Sequence, residues 1–299
     1  MPVERLGGDA ERAIVSVLEQ RTAFPFELIL VSAVPLPNPE ARVRNVIEIN
    51  RNPATRRNRA VSVAQGDVLA FIDDDATAAP DWLTVATRYL EAHPEVLALG
   101  GPDPAPATSS VPEMISDTLL RAPWIGSGIA AHEEPRGIFD VRSPSDLALV
   151  NLFVRRDAFS GFDESIGYIG EDTALIASLM NRGPVVYHSG VRVYHRRRPF
   201  PGPYLKQRWR YRVKTGRMLA RGSAANRAKV LTFLGSGAAA LLLLPITAPL
   251  YYIITFLIGA RTTRLSARWW PLLPFAFALH HITYFGGIVW GLVTARLRS

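Results

Sequence analysis

Hydrophobic and polar positions along the first two hundred residues switch between two periods, and each switch marks an element. Ala10, Ala13, Ile14, Val17 and Leu18 recur at helical spacing behind Asp9, which is placed to cap them. Residues 26–31 form the short apolar run of a buried strand, and residues 43–49 alternate with period two. Pro53 opens a helix that Gly66 closes, residues 67–72 return to a strand, and another helix starts near Pro80-Asp81-Trp82. Residues 95–100 and 147–154 read as strands, residues 171–181 as a helix stopped by Gly183, and residues 185–195 as one or two strands. The stretch 102–144, with repeated Pro, Ser and Gly, predicts a long loop-rich excursion. Strands alternating with helices predict an α/β domain on a largely parallel sheet, with ligands at the carboxyl ends of the strands.

The pattern then changes character. Residues 230–260 and 269–295 hold no charged side chain, and each run exceeds the roughly 20 residues that cross a hydrocarbon core. Two membrane segments are therefore predicted. Pro245 and Pro249 make the first a kinked span or a re-entrant hairpin, and Trp269, Trp270, Tyr284 and Trp290 suit interfacial positions. This divides the chain into an α/β domain (1–200), a basic amphipathic interfacial segment (201–229) and a membrane region (230–299).

Charge sharpens that division. The net +8 conceals 15 basic residues against 26 acidic over residues 1–172, and 19 basic residues with no acid after them. A basic tail interleaved with apolar runs favours a membrane over nucleic acid. More basic residues lead into the first run than the three of the connector, Arg261, Arg264 and Arg268, which sets the leading side in the cytoplasm. The expected placement is the cell membrane, multi-pass, with the α/β domain facing the cytoplasm. The first 30 residues carry charges throughout, unlike a signal peptide. With no cysteine, disulfides and thiolate metal ligands are excluded.

Candidate chemistry lies in two acidic groups: Asp73-Asp74-Asp75, ending the strand 67–72, and Glu171-Asp172, opening a helix. Three crowded like charges are tolerated mainly where a cation offsets them, and a divalent metal is the simplest candidate. Such acids also form ordinary strand-end turns, and acids at a helix start are favoured by its dipole alone.

Several motifs stand in order around these acids: Asn52-Pro-Ala-Thr-Arg-Arg-Asn-Arg59, Gly66 through Asp75, Pro80-Asp-Trp-Leu83, Gly161-Phe-Asp-Glu164 and Gly170-Glu-Asp-Thr173. In this the chain resembles the family 2 glycosyltransferases, whose nucleotide-diphospho-sugar-binding fold is called GT-A. The resemblance implies Asp73 toward the nucleotide ribose or metal, Asp74 as spacer beside the donor, and Asp75 as direct ligand of Mg2+ or Mn2+. It implies Asp172 as general base of a single inverting displacement and Glu171 as a positioner of the acceptor. His195 corresponds to a residue that completes the metal shell or contacts the diphosphate. Arg57 and Asn58 match a donor-side pair. Gln207, Arg210 and Tyr211 resemble a Gln-x-x-Arg-Trp motif, with tyrosine for tryptophan, that closes over nucleotide and acceptor.

The implied partners are a nucleotide-diphospho-sugar donor, a lipid-linked or cell-envelope glycan acceptor and the membrane, without nucleic acid; the oligomeric state is left open. Two departures stand out. The chain starts at Met1-Pro2-Val3, so most of the family's first strand is expected to be absent, and residues 31–34 carry no acid where relatives hold the base. These departures motivate the alternative of a catalytically silent membrane scaffold.

Overall fold

The computed structural model describes residues 1–36, 41–123, 125–126, 137–166, 170–221, 232, 235–237 and 244–296. They fall into two compact units, one of residues 1–106 and 131–196, the other of residues 107–130 and 197–299.

The first unit is a three-layer α/β/α sandwich. Helix α1 (Gly8–Leu18) leads to strands β1 (Leu28–Ser32) and β2 (Val43–Ile47), which pair in parallel. Helix α2 (Pro53–Val63), strand β3 (Val68–Phe71), strand β4 (Ala76–Ala78), helix α3 (Trp82–Ala92) and strand β5 (Ala98–Gly100) follow. Every residue of β1 is buried, and its alternation divides the core. Leu28 and Leu30 join α1, α3, Trp82 and Phe153 on one face, while Ile29 and Val31 meet Val46 and α2 on the other.

Residues 1–3 lie along β1, with Pro2 bridging Val31 in parallel. Val31 N donates to Met1 O (3.0 Å), Val3 N to Val31 O (2.8 Å), and the Met1 amino group to Ile29 O (2.9 Å). Short of that pairing, a cavity of about 430 Å³ opens between β1 and β3, lined by Met1, Leu28, Ile29, Leu69 and Trp82 among others.

The sheet is more antiparallel than the strand–helix alternation predicts. After β6 (Ile138–Asp140) and β7 (Leu152–Arg155) come helix α5 (Glu171–Met180) and strands β8 (Val185–His188) and β9 (Val193–His195). The five-stranded order is β3-β7-β5-β8-β6, with only β5 and β8 parallel. The mixing comes from β7, which enters antiparallel between β3 and β5, and from β6, which lies antiparallel on β8. The run 147–154 is likewise only partly strand: residues 149–151 turn as a 3-10 helix before β7.

The second unit corrects the reading of 102–144 as loop. Helix α4 (Val111–Arg121) lies within it, opened by a capping box in which Ser110 and Glu113 exchange hydrogen bonds. Its residues Ile115, Leu119 and Leu120 pack with Tyr204, Leu273 and Phe277. The unit also has, among the described residues, α6 (Gly202–Arg221), α7 (Leu244–Thr262) and α8 (Leu273–Arg296). Among the described residues one helical stretch, Ala267–Ala295 with mean hydropathy 1.4, is long and apolar enough to cross a membrane. The first predicted span lies partly outside the described residues; α7, whose 19 residues run from within it to just past its end, holds Pro249.

Candidate active site

The acidic groups predicted from the sequence are joined by one arginine. Asn52 caps α2 by accepting from Ala54 N (3.0 Å), and Pro53 occupies the first turn, where its missing N–H costs nothing. This start turns Arg57 inward, where it is 8% exposed. Its Nη2 donates to Asp73 Oδ1 (2.9 Å) and its Nη1 to Glu171 Oε1 (3.1 Å). The rigid fork of a guanidinium suits such a double bridge better than an ammonium would. The triplet after β3 and the pair opening α5 thus belong to one site.

Gly170, at φ +97°, takes the left-handed conformation that a side chain resists, and α5 begins at the next residue. Glu171 is buried at 7% exposure, whereas Asp172 is half-buried. Asp172 Oδ1 accepts from Thr173 N (2.7 Å), and its Oδ2 makes no hydrogen bond among the described residues. A positioned carboxylate with one oxygen available can take a proton.

Asp75 faces His195 because β4 and β9 pair antiparallel with Ala76 opposite His195. His195 Nε2 lies 3.2 Å from Asp75 Oδ1, and its Nδ1 lies 3.3 Å from Oδ2 of Asp103, which is 2% exposed. The imidazole is held between two carboxylates. The sequence reading missed Asp103. It follows β5 directly after Gly100-Gly101-Pro102, at a strand's carboxyl end, so the rule that marked Asp73 could have marked it.

A buried asparagine, also missed, fixes this second group. Asn151 is 0% exposed; its Nδ2 donates to Pro102 O (3.1 Å) and Val191 O (2.8 Å), and its Oδ1 accepts from Trp82 Nε1 (2.8 Å). It ties the segment carrying Asp103 to the one that runs into His195. The approach is close enough that a Cβ on Gly101 would lie 2.0 Å from Val191 O.

The other predicted residues are placed as follows. Asp74 Oδ2 accepts from Glu4 N (3.3 Å); burial, then the charge of Asp75, pushes its carboxyl up to about 6. Asn58 spends its side chain on the loop before α5, exchanging hydrogen bonds with the Phe162 backbone and donating to Glu164 Oε1. Gln207, Arg210 and Tyr211 lie on α6 in the second unit; Arg210 is exposed, and Gln207 Oε1 accepts from Arg208.

No cluster of three or more His, Asp or Glu with metal-holding geometry occurs among the described residues. The two donors Asp75 Oδ1 and His195 Nε2, 3.2 Å apart, fit neighbouring positions of one octahedral ion, which at a ligand distance of about 2.1 Å lie about 3 Å apart. Magnesium is commonly held by one or two protein ligands together with substrate phosphates, so a two-donor set suits an ion that arrives with a diphosphate.

An α/β sandwich with acids at its strand ends is the architecture of the GT-A fold, and a solved structure shares it. Residues 8–124 match the family described as Glycosyl transferase family 2. A mannosyltransferase from Pyrobaculum calidifontis, solved with GDP-Man and Mn2+, covers 95% of this chain and 85% of its own at TM-score 0.55 and 18% identity, a likeness of fold. A glucosyl-dolichyl phosphate glucuronosyltransferase of Haloferax volcanii is 29% identical over 130 residues, which is 41% of this chain and 38% of the relative.

Proposed function

We propose that the chain is a membrane-bound inverting glycosyltransferase that moves a sugar from a nucleotide-diphosphate donor to a lipid-linked or cell-envelope glycan acceptor. The observation that carries this reading is the double bridge of Arg57 to Asp73 and Glu171, which draws donor-side and acceptor-side acids into one site. The GDP-Man of the Pyrobaculum structure and the dolichyl-linked substrate named for the Haloferax relative support donor and acceptor classes of this kind. The apolar stretch Ala267–Ala295 supports a membrane location, and the basic residues of α6 favour a cytoplasmic face for the α/β unit.

In this mechanism Asp172 takes the proton of the acceptor hydroxyl as its oxygen attacks the anomeric carbon from the face opposite the leaving group. The bond from that carbon to the diphosphate breaks, and the nucleoside diphosphate leaves. Glu171 accepts from an acceptor hydroxyl and is held in place by Arg57. Asp75 and His195 would hold Mg2+ or Mn2+, whose positive charge stabilises the diphosphate as it departs. Asp103 orients the His195 ring toward that position. Asp73, fixed by Arg57, faces the donor.

The test is transfer itself. Detergent-purified full chain is incubated with Mn2+, UDP-, GDP- or dTDP-linked labelled sugars and a polyprenyl-phosphate-linked sugar, and label is followed into the organic phase. Extractable label from one donor is the expected result. No label from any donor would leave the silent scaffold as the better account.

A further inference from the structure

In the second unit Arg208 is buried and Arg212 half-buried, and among the described residues no acid pairs with either. Tyr204, Arg208 and Arg212 lie one turn apart along α6 and share a face. Opposite them on α8, His280 and Tyr284 are also one turn apart. Tyr204 Oη shares a hydrogen bond with His280 Nδ1 at 2.8 Å, and the Arg212 guanidinium lies 3.8 Å from the centre of the Tyr284 ring. Arg208 lies between, 5.7 Å from the Tyr204 ring and 4.8 Å from that of Tyr211. The helices approach closely: a Cβ on Gly287 would lie 2.7 Å from Arg212 Cβ, and one on Gly291 2.2 Å from Val213 O.

Three nitrogens in this ladder are buried with no hydrogen-bond partner: Arg208 Nε, Arg212 Nε and His280 Nε2. Arg208 is 8% exposed and His280 is 1%. The only acids in the unit are Glu113 and Asp117, both on α4. Asp117 pairs with Arg197 and Arg121, and among the described residues no carboxylate pairs with Arg208 or Arg212. Burial, with the charge of Arg208 adding to it, holds Arg212 below the ordinary arginine range. Two guanidinium groups one turn apart repel each other, and each buried cation without an anion is costly. Such an arrangement persists where an anion with several acceptor oxygens binds it.

We propose that Arg208 and Arg212 form a seat for a phosphate group, completed by the His280 edge. A phosphate offers the oxygens that forked guanidinium groups bind best. Ile282 (67% exposed), Val289, Trp290 and Val293 form an apolar stripe on the side of α8 away from His280 and Tyr284; a lipid headgroup and free phosphate present the same oxygens to the seat, and the probes below distinguish them. Arg208 touches Gln207 and Tyr211, so the seat adjoins that motif, but it does not rest on the transferase reading, because binding needs no turnover.

The test is ligand binding by the full chain in neutral detergent, read as thermal stabilisation and by competition. Probes are dioctanoyl phosphatidic acid, dioctanoyl phosphatidylcholine and inorganic phosphate. The expected result is a preference of at least tenfold for phosphatidic acid over phosphatidylcholine, kept in Arg261→Gln and lost in the double variant Arg208→Gln/Arg212→Gln. Competition by inorganic phosphate at equal concentration assigns the seat to free phosphate, and its failure to compete assigns it to the lipid headgroup. The lipid-free double variant should melt at or above the wild-type temperature, since two uncompensated charges are gone. A preference that survives the double variant, no preference at all, or a fall in the lipid-free melting temperature would overturn the proposal.

Discussion

Replacing Arg57 by methionine tests the bridge that makes one site of two acidic groups. The guanidinium is 9% exposed and pairs with Glu171 at 8% and Asp73 at 33%. Removing one partner of a buried pair typically costs about 3–5 kcal/mol, because the other charge stays buried alone. The Asp73 arm is open enough to solvent that it contributes about 1 kcal/mol or less. A loss of about 3 kcal/mol is therefore expected, nearly all from Glu171. Glu171→Gln removes that stranded charge, so the double variant should recover about 2 kcal/mol of the loss. Urea titration of the full chain in detergent, followed by tryptophan fluorescence, measures all four corners of the cycle. A loss below about 1 kcal/mol, or two effects that simply add, would refute the bridge.

Three other substitutions probe the surroundings. Asn151→Leu leaves the Trp82 N–H and the Val191 carbonyl without the partner they have, and Pro102 O with only Val193 N, and should cost about 3 kcal/mol in the same titration; a change near zero would show that Asn151 is not the tie between those segments. Asp103→Asn withdraws the charge behind His195 and should weaken Mn2+ binding, measured calorimetrically with GDP present, by about tenfold or more, whereas unchanged affinity would contradict a metal role for His195. Asp74 titrates near 6 when folded and at 3.8 otherwise, so the fold takes up a proton between these values and the stability that goes with it is lost as pH rises through 6. Asp74→Asn should accordingly match the wild type in melting temperature near pH 4 and exceed it by pH 7.5, in chelator, by the equivalent of about 1 kcal/mol after solvent screening. A difference that does not grow with pH would contradict the crowding of the triplet.

What the sequence displayed was local. Asn52-Pro53 opens α2, an apolar run ends in Asp73-Asp74-Asp75, and Gly170 precedes the acids of α5, each legible because cap and strand-end signals act within a few residues. Helix α4 was legible too, through Ser110 and Glu113, but the surrounding prolines read as loop; Pro112 is tolerated because it sits in the first turn. The site's partnerships were not legible. Arg57 is visible as a cation, yet its choice of Asp73 and Glu171 is made by packing, and His195 meets Asp103 across 92 residues of sequence. Asn151 reads as a polar interruption of a strand, and only the fold shows the three groups it satisfies.

The central claim is tested most directly by Mn2+-dependent release of nucleoside diphosphate from UDP-, GDP- and dTDP-sugars, comparing the wild type with Asp75→Ala and Asp172→Asn. The account predicts acceptor-dependent release from one donor class that needs the metal and falls at least a hundredfold in either variant, about 2.7 kcal/mol of transition-state stabilisation. Release that persists at the wild-type rate in both variants would contradict it.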